Sequence, residues 1–439
     1  MSRAAGGLAQ GLIAEQFAVA GSVLHVGGVP VTAMAAAHGT PLYVYDAGLM
    51  RRRLAMLRAV LPPRVAVHYS VKANPHPEVV RVFVEAGAGA EIASAAEWER
   101  ARAAGCAPAR IVFAGPGKGV EELEHVIRGG IGEIHVESDE EIALLQAIGD
   151  RLQRRVDVAI RVNPAPAAAG GAMQMGGHPA AFGFDEERLA EVAARVGQAA
   201  RLRLRGVHMF AGTQILDAAV LAGQWRHAIG IARRLGEITG AAVDTIDLGG
   251  GLGIPYFAHE RALDLAAVQA LAAPAFAALD AEAHLSATRL IVEPGRFLAG
   301  PAGVYLTRVR SVKVSRGATF VVCDGGMHHH AAAAGNLGQV IKRDYPVVNA
   351  SRLDTPAALT AAVVGPLCTP LDTLGRKVEL PATQPGDLIA VLQSGAYGLS
   401  ASPVGFLSHP MPAEVLVDDG HAREIRARGT FAQPVVPLP

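Results

Sequence analysis

The chain has 439 residues, of which 51% are hydrophobic and 18% are charged, and its 40 Lys and Arg residues balance its 40 Asp and Glu residues. This apolar content is enough to bury large cores, which excludes a disordered chain. The zero net charge argues against a global electrostatic grip on nucleic acid or on a lipid surface. We therefore expect two or three domains, or one barrel with an appendage, binding neither nucleic acid nor membranes.

The cysteines and the N-terminal residues indicate the compartment. Cys106, Cys323 and Cys368 are widely separated, which gives neither a disulfide scaffold nor the spacing of a zinc site. Residues 1–17 lack the continuous apolar region of a signal peptide. We therefore expect a cytoplasmic protein.

Short β-branched runs alternate with longer helical patterns from about residue 41 to residue 300. The predicted strands are residues 42–45, 66–70, 111–113, 133–136, 156–162, 204–209, 245–248 and 289–292. Such alternation predicts an α/β fold, an eight-fold β/α (TIM-like) barrel. A doubly wound sheet is the alternative, which is weakened because no G-x-G-x-x-G motif opens a first helix.

The pattern changes after residue 300, where strand-like runs are joined by Gly and Pro turns. The predicted strands there are residues 305–314, 319–322, 361–364, 388–391, 413–417 and 422–426. These runs predict a mostly β C-terminal domain. We therefore expect an N-terminal segment of residues 1–40 that packs with the β domain, a barrel of residues 41–300 and a β domain of residues 301–439.

A lysine follows the predicted strand 66–70, in the segment HYSVKANP (68–75). A lysine at the end of a barrel strand points into the mouth where active sites form. Desolvation there lowers the pKa of the amine and makes it a nucleophile for Schiff-base chemistry. The alternative for Lys72 is a surface lysine that only extends its charge into water.

Two motifs late in the barrel suit an anionic, heterocyclic ligand. Gly249, Gly250 and Gly251 follow a predicted strand, and glycines let backbone N–H groups converge on a phosphate, although a flexible turn has the same composition. Glu293 and Arg296 follow the last barrel strand. The acid can pair with a protonated ring nitrogen and the guanidinium can contact phosphate. An internal Glu–Arg ion pair is the alternative.

Three features of the β domain carry further chemistry. Cys368, in GPLCTPLD (365–372), can act as a general acid, although a lone cysteine is more often inert. Tyr397, between glycines in SGAYG (394–398), either donates to a ligand or packs. Residues 328–330 are three histidines, whose neighbouring side chains diverge. We therefore predict no metal site there, but a loop of hydrogen-bonded imidazoles.

Taken in order, these motifs resemble the fold-type-III pyridoxal-phosphate decarboxylases, the group that contains diaminopimelate and ornithine decarboxylases. The resemblance extends from about residue 41 to about residue 417. It implies a barrel followed by a β domain, pyridoxal 5'-phosphate as the cofactor, and a homodimer whose active sites are shared between subunits.

The resemblance also implies roles for individual residues. Lys72 would form the Schiff base with the cofactor, Glu293 would bind the pyridine nitrogen, and Cys368 of the partner subunit would reprotonate the α-carbon. The other residues expected around the cofactor are Glu91, Arg161, Phe210, Thr213, Gly249, Gly250, Gly251, Gly295, Arg296 and Tyr397.

Three departures from the classical pattern bear on the substrate. Phe210 stands where a cofactor-stacking histidine is usual, Thr369 follows Cys368 where an acid is usual, and residues 324–332 lack the arginine that diaminopimelate decarboxylases use. These departures look like a branch associated with exosortase gene clusters and with carrier-protein-linked glutamate in antibiotic pathways. The residues expected to contact the substrate are Thr369, Asp372, His329 and His409.

The departures predict decarboxylation of an amino acid whose distal charge is masked, for example by linkage to a carrier, since an unpaired buried charge is costly. Alternatives are diaminopimelate decarboxylation in lysine biosynthesis, amino-acid racemisation, and a non-enzymatic cofactor-binding regulator. The Cys368 segment and Glu293 argue against the racemase, and the residues that follow the barrel argue against the regulator.

Overall fold

The computed structural model describes residues 3–165, 173–174, 179–339 and 341–429. The chain divides into two compact units. The barrel unit contains the described residues of Arg53–Ile254 and Arg261–Leu298, and the β unit contains those of Met1–Arg52, Pro255–Glu260 and Ala299–Pro439. No helix in the described ranges is both long enough and apolar enough to cross a bilayer.

The secondary structure is as follows, in chain order. The strands are β1 (Ala18–Ala20), β2 (Val23–Val26), β3 (Val29–Pro30), β4 (Leu42–Asp46), β5 (Val65–Ser70), β6 (Gly89–Ile92), β7 (Ile111–Phe113), β8 (Glu133–Val136), β9 (Val156–Asn163), β10 (Met173–Gln174), β11 (Phe184–Asp185), β12 (Leu202–Met209), β13 (Gly212–Thr213), β14 (Thr245–Asp247), β15 (Arg289–Val292), β16 (Gly303–Ser315), β17 (Ala318–Cys323), β18 (Val347–Asn349), β19 (Leu359–Val364), β20 (Thr373–Leu380), β21 (Leu388–Val391), β22 (Ala413–Asp418) and β23 (His421–Arg426). The α-helices are α1 (Arg3–Gln16), α2 (Val31–His38), α3 (Ala47–Val60), α4 (Pro77–Glu85), α5 (Ala95–Ala103), α6 (Val120–Arg128), α7 (Asp139–Leu152), α8 (Leu189–Gln198), α9 (Ala218–Thr239), α10 (Leu265–Ala278) and α11 (Arg296–Ala299).

Eight parallel strands of the barrel unit form a closed ring. Their order is β5–β6–β7–β8–β9–β12–β14–β15, and β15 pairs with β5 to close the ring. Helices alternate with these strands, as expected when parallel neighbours are joined by crossovers. The ring confirms the predicted eight-fold barrel. It also brings the carboxyl ends of all eight strands to one face, where sites form in such folds.

One predicted barrel strand was wrong and one barrel strand was missed. Residues 42–45 belong to β4, which pairs antiparallel with β16 and parallel with β22 in the β unit. All five residues of β4 are buried, so its continuous apolar run has the appearance of a barrel strand. The eighth barrel strand is β6, whose sequence GAEI contains residues that disfavour strands.

The β unit is built on one large sheet. Its strand order is β20–β19–β17–β16–β4–β22–β23, with β21 also pairing with β16 and β18 with β21. Each of the six strands predicted after residue 300 is present, whereas β18 and β20 were not predicted. Residues from α1, β2 and α2 pack into the core of this unit, among them Leu12, Leu24 and Met34, against Val44 and Val415.

A glycine in β12 tests how tightly the barrel is closed. A Cβ at Gly206 would lie 1.7 Å from the carbonyl oxygen of Thr245 on β14. We expect Gly206→Ala to lower the free energy of unfolding by about 1–3 kcal/mol, because the backbone must move. Gly197, in α8, has open space around it, so Gly197→Ala should leave stability unchanged or raise it slightly. Chemical denaturation followed by circular dichroism measures both, and equal stabilities would contradict this account of the barrel wall.

Candidate active site

Lys72 and Glu91 form an ion pair at the carboxyl end of the barrel. Lys72 lies in a 3₁₀ turn, Val71–Ala73, directly after β5. Its Nζ lies 2.9 Å and 2.8 Å from the two carboxylate oxygens of Glu91. Glu91 is buried on the neighbouring strand β6 and also accepts a hydrogen bond from Ser70 Oγ. The Lys72 side chain is 42% exposed, so its amine is oriented by Glu91 and still accessible.

A second carboxyl group, Glu97, was not singled out from the sequence. Ser94 Oγ accepts a hydrogen bond from Glu97 N (3.2 Å), and Ala93 N donates to Glu97 Oε2 (2.7 Å), as at a normal helix start. Burial, reinforced by the charge of Glu91, raises the pKa of Glu97 to about 7, although Lys72 opposes the rise. Its sequence signal is a capping box, which does not distinguish a titrating carboxyl group from an ordinary cap.

The glycine segment 249–251 follows β14 and lies against two other strand ends. Gly249 and Gly251 have φ of +69° and +93°, which side-chain-bearing residues rarely adopt. A Cβ at Gly249 would lie 2.4 Å from Met209 O, and one at Gly250 would lie 2.5 Å from Glu293 O. The segment therefore has to be glycine, and it presents bare backbone at the barrel mouth.

Backbone and ring contacts bring the predicted residues of the barrel unit together. Glu293 N donates to Gly249 O (2.9 Å), and the Phe210 ring lies 3.3 Å from the position of a Cβ on Gly249. Lys72 Nζ lies 6.0 Å from the centroid of the Phe210 ring. Lys72, Phe210, Gly249 and Glu293 thus surround one site.

Two further predicted residues lie beside this group. A Cβ on Gly295 would lie 2.8 Å from Ala73 Cβ, so Gly295 packs directly on the turn that carries Lys72. Arg296, the next residue, is the first of helix α11. Both positions follow β15, and so they share the barrel mouth with Glu293.

Arg161 and Thr213 are also at the ends of strands. Arg161 is buried on β9, and its Nη1 lies 2.6 Å from Glu137 Oε1, so its charge has a partner within the protein. Thr213 lies on β13, two residues before Ile215, whose N–H donates to Gly251 O (2.8 Å). This contact places the β13 segment against the glycine segment.

The pKa values of the buried acids Glu293 and Asp247 are shifted in opposite directions. Glu293 Oε2 lies 3.4 Å from His208 Nε2, and Glu293 Oε1 has no hydrogen-bond partner among the described residues. Burial raises the pKa of Glu293, but His208, His135 and Lys72 outweigh it and hold this pKa well below its usual range. Burial and the charge of Glu293 raise the pKa of Asp247 well above its usual range. Glu293 therefore ionises more readily than Asp247.

These groups fit pyridoxal 5'-phosphate. Glu293 Oε1 is a buried anionic acceptor that needs a donor, which the N–H of a protonated pyridine ring provides. The glycine segment offers backbone where a phosphate requires close approach. Lys72 offers an accessible amine for the aldehyde carbon.

The predicted residues of the β unit include an exposed thiol on an anchored loop. Cys368 is exposed. Asp372 is 2% exposed, and its two carboxylate oxygens accept hydrogen bonds from Met327 N (2.6 Å) and Leu367 N (2.8 Å). These two hydrogen bonds anchor the loop that carries Cys368, which gives Asp372 a role in positioning that loop. The contact of Asp372 with substrate stays a prediction.

The three consecutive histidines are buried and uncharged. His329 Nε2 lies 3.0 Å from Pro410 O and its Nδ1 3.3 Å from Tyr305 OH, so both ring nitrogens of this predicted substrate contact already have protein partners. His330 Nε2 lies 3.0 Å from Ser394 Oγ. Burial lowers the pKa of His328 to about 4, that of His329 to about 2 and that of His330 to about 3.

The remaining predicted residues of the β unit are partly exposed. The ring of His409 lies 4.9 Å from that of His328 and is half-buried. Thr369 is half-buried next to Cys368, and Tyr397 is half-buried with a φ of +52°. These side chains are thus accessible for contacts with a ligand, in contrast to Asp372.

Known proteins resemble the chain over nearly its whole length. Residues 47–300 match the family described as pyridoxal-dependent decarboxylase, pyridoxal binding domain. The L-glutamyl-[BtrI acyl-carrier protein] decarboxylase of Niallia circulans is 37% identical over 91% of this chain and 94% of its own length. A diaminopimelate decarboxylase of Aquifex aeolicus is 32% identical over 94% of this chain and 95% of its own length.

A solved structure has the same architecture. Diaminopimelate decarboxylase of M. jannaschii in complex with L-lysine superimposes with a TM-score of 0.88 at 25% identity, covering 96% of this chain and 98% of that one. The closed barrel, the β unit and the extent of these matches agree with the resemblance drawn from the sequence. The chain belongs to the fold-type-III pyridoxal-phosphate-dependent decarboxylases, and it is an amino-acid decarboxylase that uses pyridoxal 5'-phosphate.

Proposed function

We propose that this decarboxylase acts on a glutamate-like amino acid whose distal carboxylate is masked by a link to a carrier. The observation that carries the proposal is the absence of charge where classical members bind the distal group. Thr369 follows Cys368, and residues 331–334, four buried alanines, follow three histidines whose pKa values burial lowers. A charged distal group would be left unpaired there, at a cost of several kcal/mol.

The similarity to a named relative supports this substrate class. The relative that is 37% identical is an L-glutamyl-[BtrI acyl-carrier protein] decarboxylase, in which the substrate is joined to a carrier. Diaminopimelate decarboxylase is the second candidate, because relatives of that name are 32% identical over more than nine-tenths of this chain.

The residues of the barrel unit hold the cofactor in this proposal. Pyridoxal phosphate, when bound, supplies an electron sink for the negative charge left at the α-carbon as carbon dioxide departs. Lys72 Nζ binds the cofactor covalently, and Glu91 orients that amine. Glu293 Oε1 accepts the N–H of the pyridine ring. The backbone of residues 249–251 and Arg296 bind the phosphate, and the Phe210 ring packs on a face of the cofactor.

In this proposal, Cys368 supplies the proton that replaces the carboxyl group on the α-carbon of the substrate. In a homodimer with shared sites, the exposed thiol of Cys368 from one subunit would donate a proton to the α-carbon of the substrate in the site that contains Lys72 of the other subunit. Asp372 fixes the loop that carries Cys368 through the amides of Met327 and Leu367. Tyr397 contributes a hydroxyl to the cofactor phosphate.

Substrate choice is tested by carbon dioxide release. We expect kcat/KM for a glutamyl thioester to exceed that for free diaminopimelate, lysine or ornithine by about 100-fold or more, because the thioester has no distal charge to desolvate. Thr369→Glu should lower the thioester value about tenfold by adding a charge beside Cys368, and Thr369→Ser should not. Equal or higher kcat/KM for diaminopimelate would instead identify a diaminopimelate decarboxylase.

The shared site is tested by subunit exchange. Lys72→Ala and Cys368→Ala homodimers should each lose most of their activity, because each change removes a group that every site needs. Mixing the two variants should restore activity, since a heterodimer contains one site with both residues intact. Verified exchange that restores nothing would rule out a site built from both subunits.

The pH dependence tests a role for Glu97 as a titrating group near Lys72. Since the pKa of Glu97 is about 7, its carboxyl group is neutral below that pH and adds a negative charge beside Glu91 above it. We expect a limb near pH 7 in kcat/KM, and Glu97→Gln should abolish this limb because the amide stays neutral. Glu99→Gln, an exposed neighbour on α5, serves as the control. A limb that persists in Glu97→Gln would assign it to another group.

A further inference from the structure

The interior of the barrel contains a cluster of ionisable side chains. It comprises Glu133, His135, His208, Asp247 and Glu293, which we call the interior cluster, and each is at most 5% exposed. Barrel interiors are usually filled by bulky aliphatic residues, and burying a charge costs several kcal/mol unless it is compensated. A cluster of this size therefore indicates a function beyond packing.

The strand pattern explains how these residues meet. Glu133 and His135 alternate on β8, so both face the barrel interior. His208 lies on β12, and Asp247 is the last residue of β14. Glu293 directly follows β15. The cluster therefore becomes contiguous only when the ring of strands closes.

His135 contacts the other members from the centre of the cluster. Its ring stacks on that of His208 with centroids 4.3 Å apart and an interplanar angle of 28°. Its Nε2 lies 3.3 Å from Glu133 Oε1 and 3.8 Å from Asp247 Oδ2. His208 Nε2 in turn lies 3.4 Å from Glu293 Oε2. His135 is thus linked to Glu293 through one stacked ring.

Asp247 extends the cluster to the other end of the cofactor site. Its Oδ1 accepts a hydrogen bond from Gly249 N (2.9 Å), the first residue of the glycine segment. Its Oδ2 has no hydrogen-bond partner among the described residues and faces His135. One carboxyl group therefore connects the glycine segment to the cluster that contains Glu293.

Asp247 and Glu293 compete for negative charge within the interior cluster, because like charges oppose each other in a buried site. The pKa of Asp247 is raised, mainly by burial, whereas the histidines hold the pKa of Glu293 below its usual range despite burial. Burial lowers the pKa of His208 to about 4, so this ring is neutral at pH 7.

We propose that His135 is a positioning residue that makes Glu293 the ionised carboxylate facing the cofactor nitrogen. It does so by holding Asp247 on one side and His208 on the other. The inference rests on the proposed contact between Glu293 and the pyridine nitrogen. The titratable groups that face His135 are Glu133 from its own strand and His68, His208, Asp247 and Glu293 from the other strands.

The test is the absorbance of the bound cofactor as a function of pH, without substrate. His135→Phe keeps a flat ring against His208 and removes both nitrogens. Without the nitrogens of His135, the negative charge is divided between Glu293 and Asp247. The protonated pyridine nitrogen of the cofactor then faces less negative charge, which lowers its pKa. We expect the midpoint of the spectral transition to fall by about one pH unit, and cofactor affinity to fall about tenfold. His135→Asn, which keeps an amide, should show a smaller shift in the same direction.

His227→Phe is the control, because His227 is an imidazole of the barrel unit that lies on α9, outside the interior cluster, with its Nε2 2.6 Å from Glu186 Oε2. It should leave the midpoint within about 0.3 unit of the wild-type value. An unchanged midpoint in both His135 variants, or an equal shift in His227→Phe, would overturn the inference. If His135→Phe does not fold, His135→Asn against His227→Asn decides the same question. A wild-type protein without a visible cofactor band would instead refute the proposed attachment at Lys72.

Discussion

The pairing of β15 with β5 is the contact on which the site depends. In this register Leu290 lies opposite Val65 and Val292 opposite Val67, although more than two hundred residues separate the strands in sequence. The pairing closes the ring. It brings Glu293, which directly follows β15, to the same edge as Lys72, which lies in the turn after β5. The backbone continues the contact beyond the strands, since Ser70 N donates to Pro294 O (3.3 Å).

Closure also determines the electrostatics. Lys72 is oriented by a carboxylate from the next strand, Glu91, whereas Glu293 lies against His208 of β12, which only β14 separates from β15. Each acid thus has a distinct neighbour, Lys72 for Glu91 and His208 for Glu293, and so the two carboxylates of one small site take different roles. The outcome is a site with an accessible amine at one end and a buried anionic acceptor at the other.

Much of this site was predictable because its residues follow strong local signals. Lys72, Glu293 and the glycine segment each follow an apolar strand, and strand ends in a barrel meet at one face. The strand β6 was missed because Gly, Ala and Glu have low strand propensity, and only its two neighbours make it a strand. The buried strand β4 was assigned to the barrel instead of the sheet of the β unit, because its apolar run is equally suited to both.

Other residues were hidden for physical reasons. Glu97 has the sequence signal of a helix cap, and its raised pKa arises from burial and from Glu91, which is on another element. In the sequence, His135 is an isolated polar residue within a strand. Most of its partners come close to it only when three distant strands meet around it in the folded barrel. The anchoring role of Asp372 was also hidden, because its carboxylate accepts from Leu367 N in its own loop and from Met327 N in a segment distant in sequence.

The central claim, that Lys72 carries the cofactor, is tested most directly by borohydride reduction followed by peptide mapping. The sequence contains five lysines, so the modified peptide is unambiguous. Lys118 serves as an internal reference because it is also in the barrel unit, is 1% exposed and is paired with Glu141 at 2.6 Å. The account predicts that the reduced cofactor is found on the peptide containing Lys72 alone. Cofactor fixed to Lys118 or to another lysine, or protein that binds the cofactor without any reducible linkage, would contradict it.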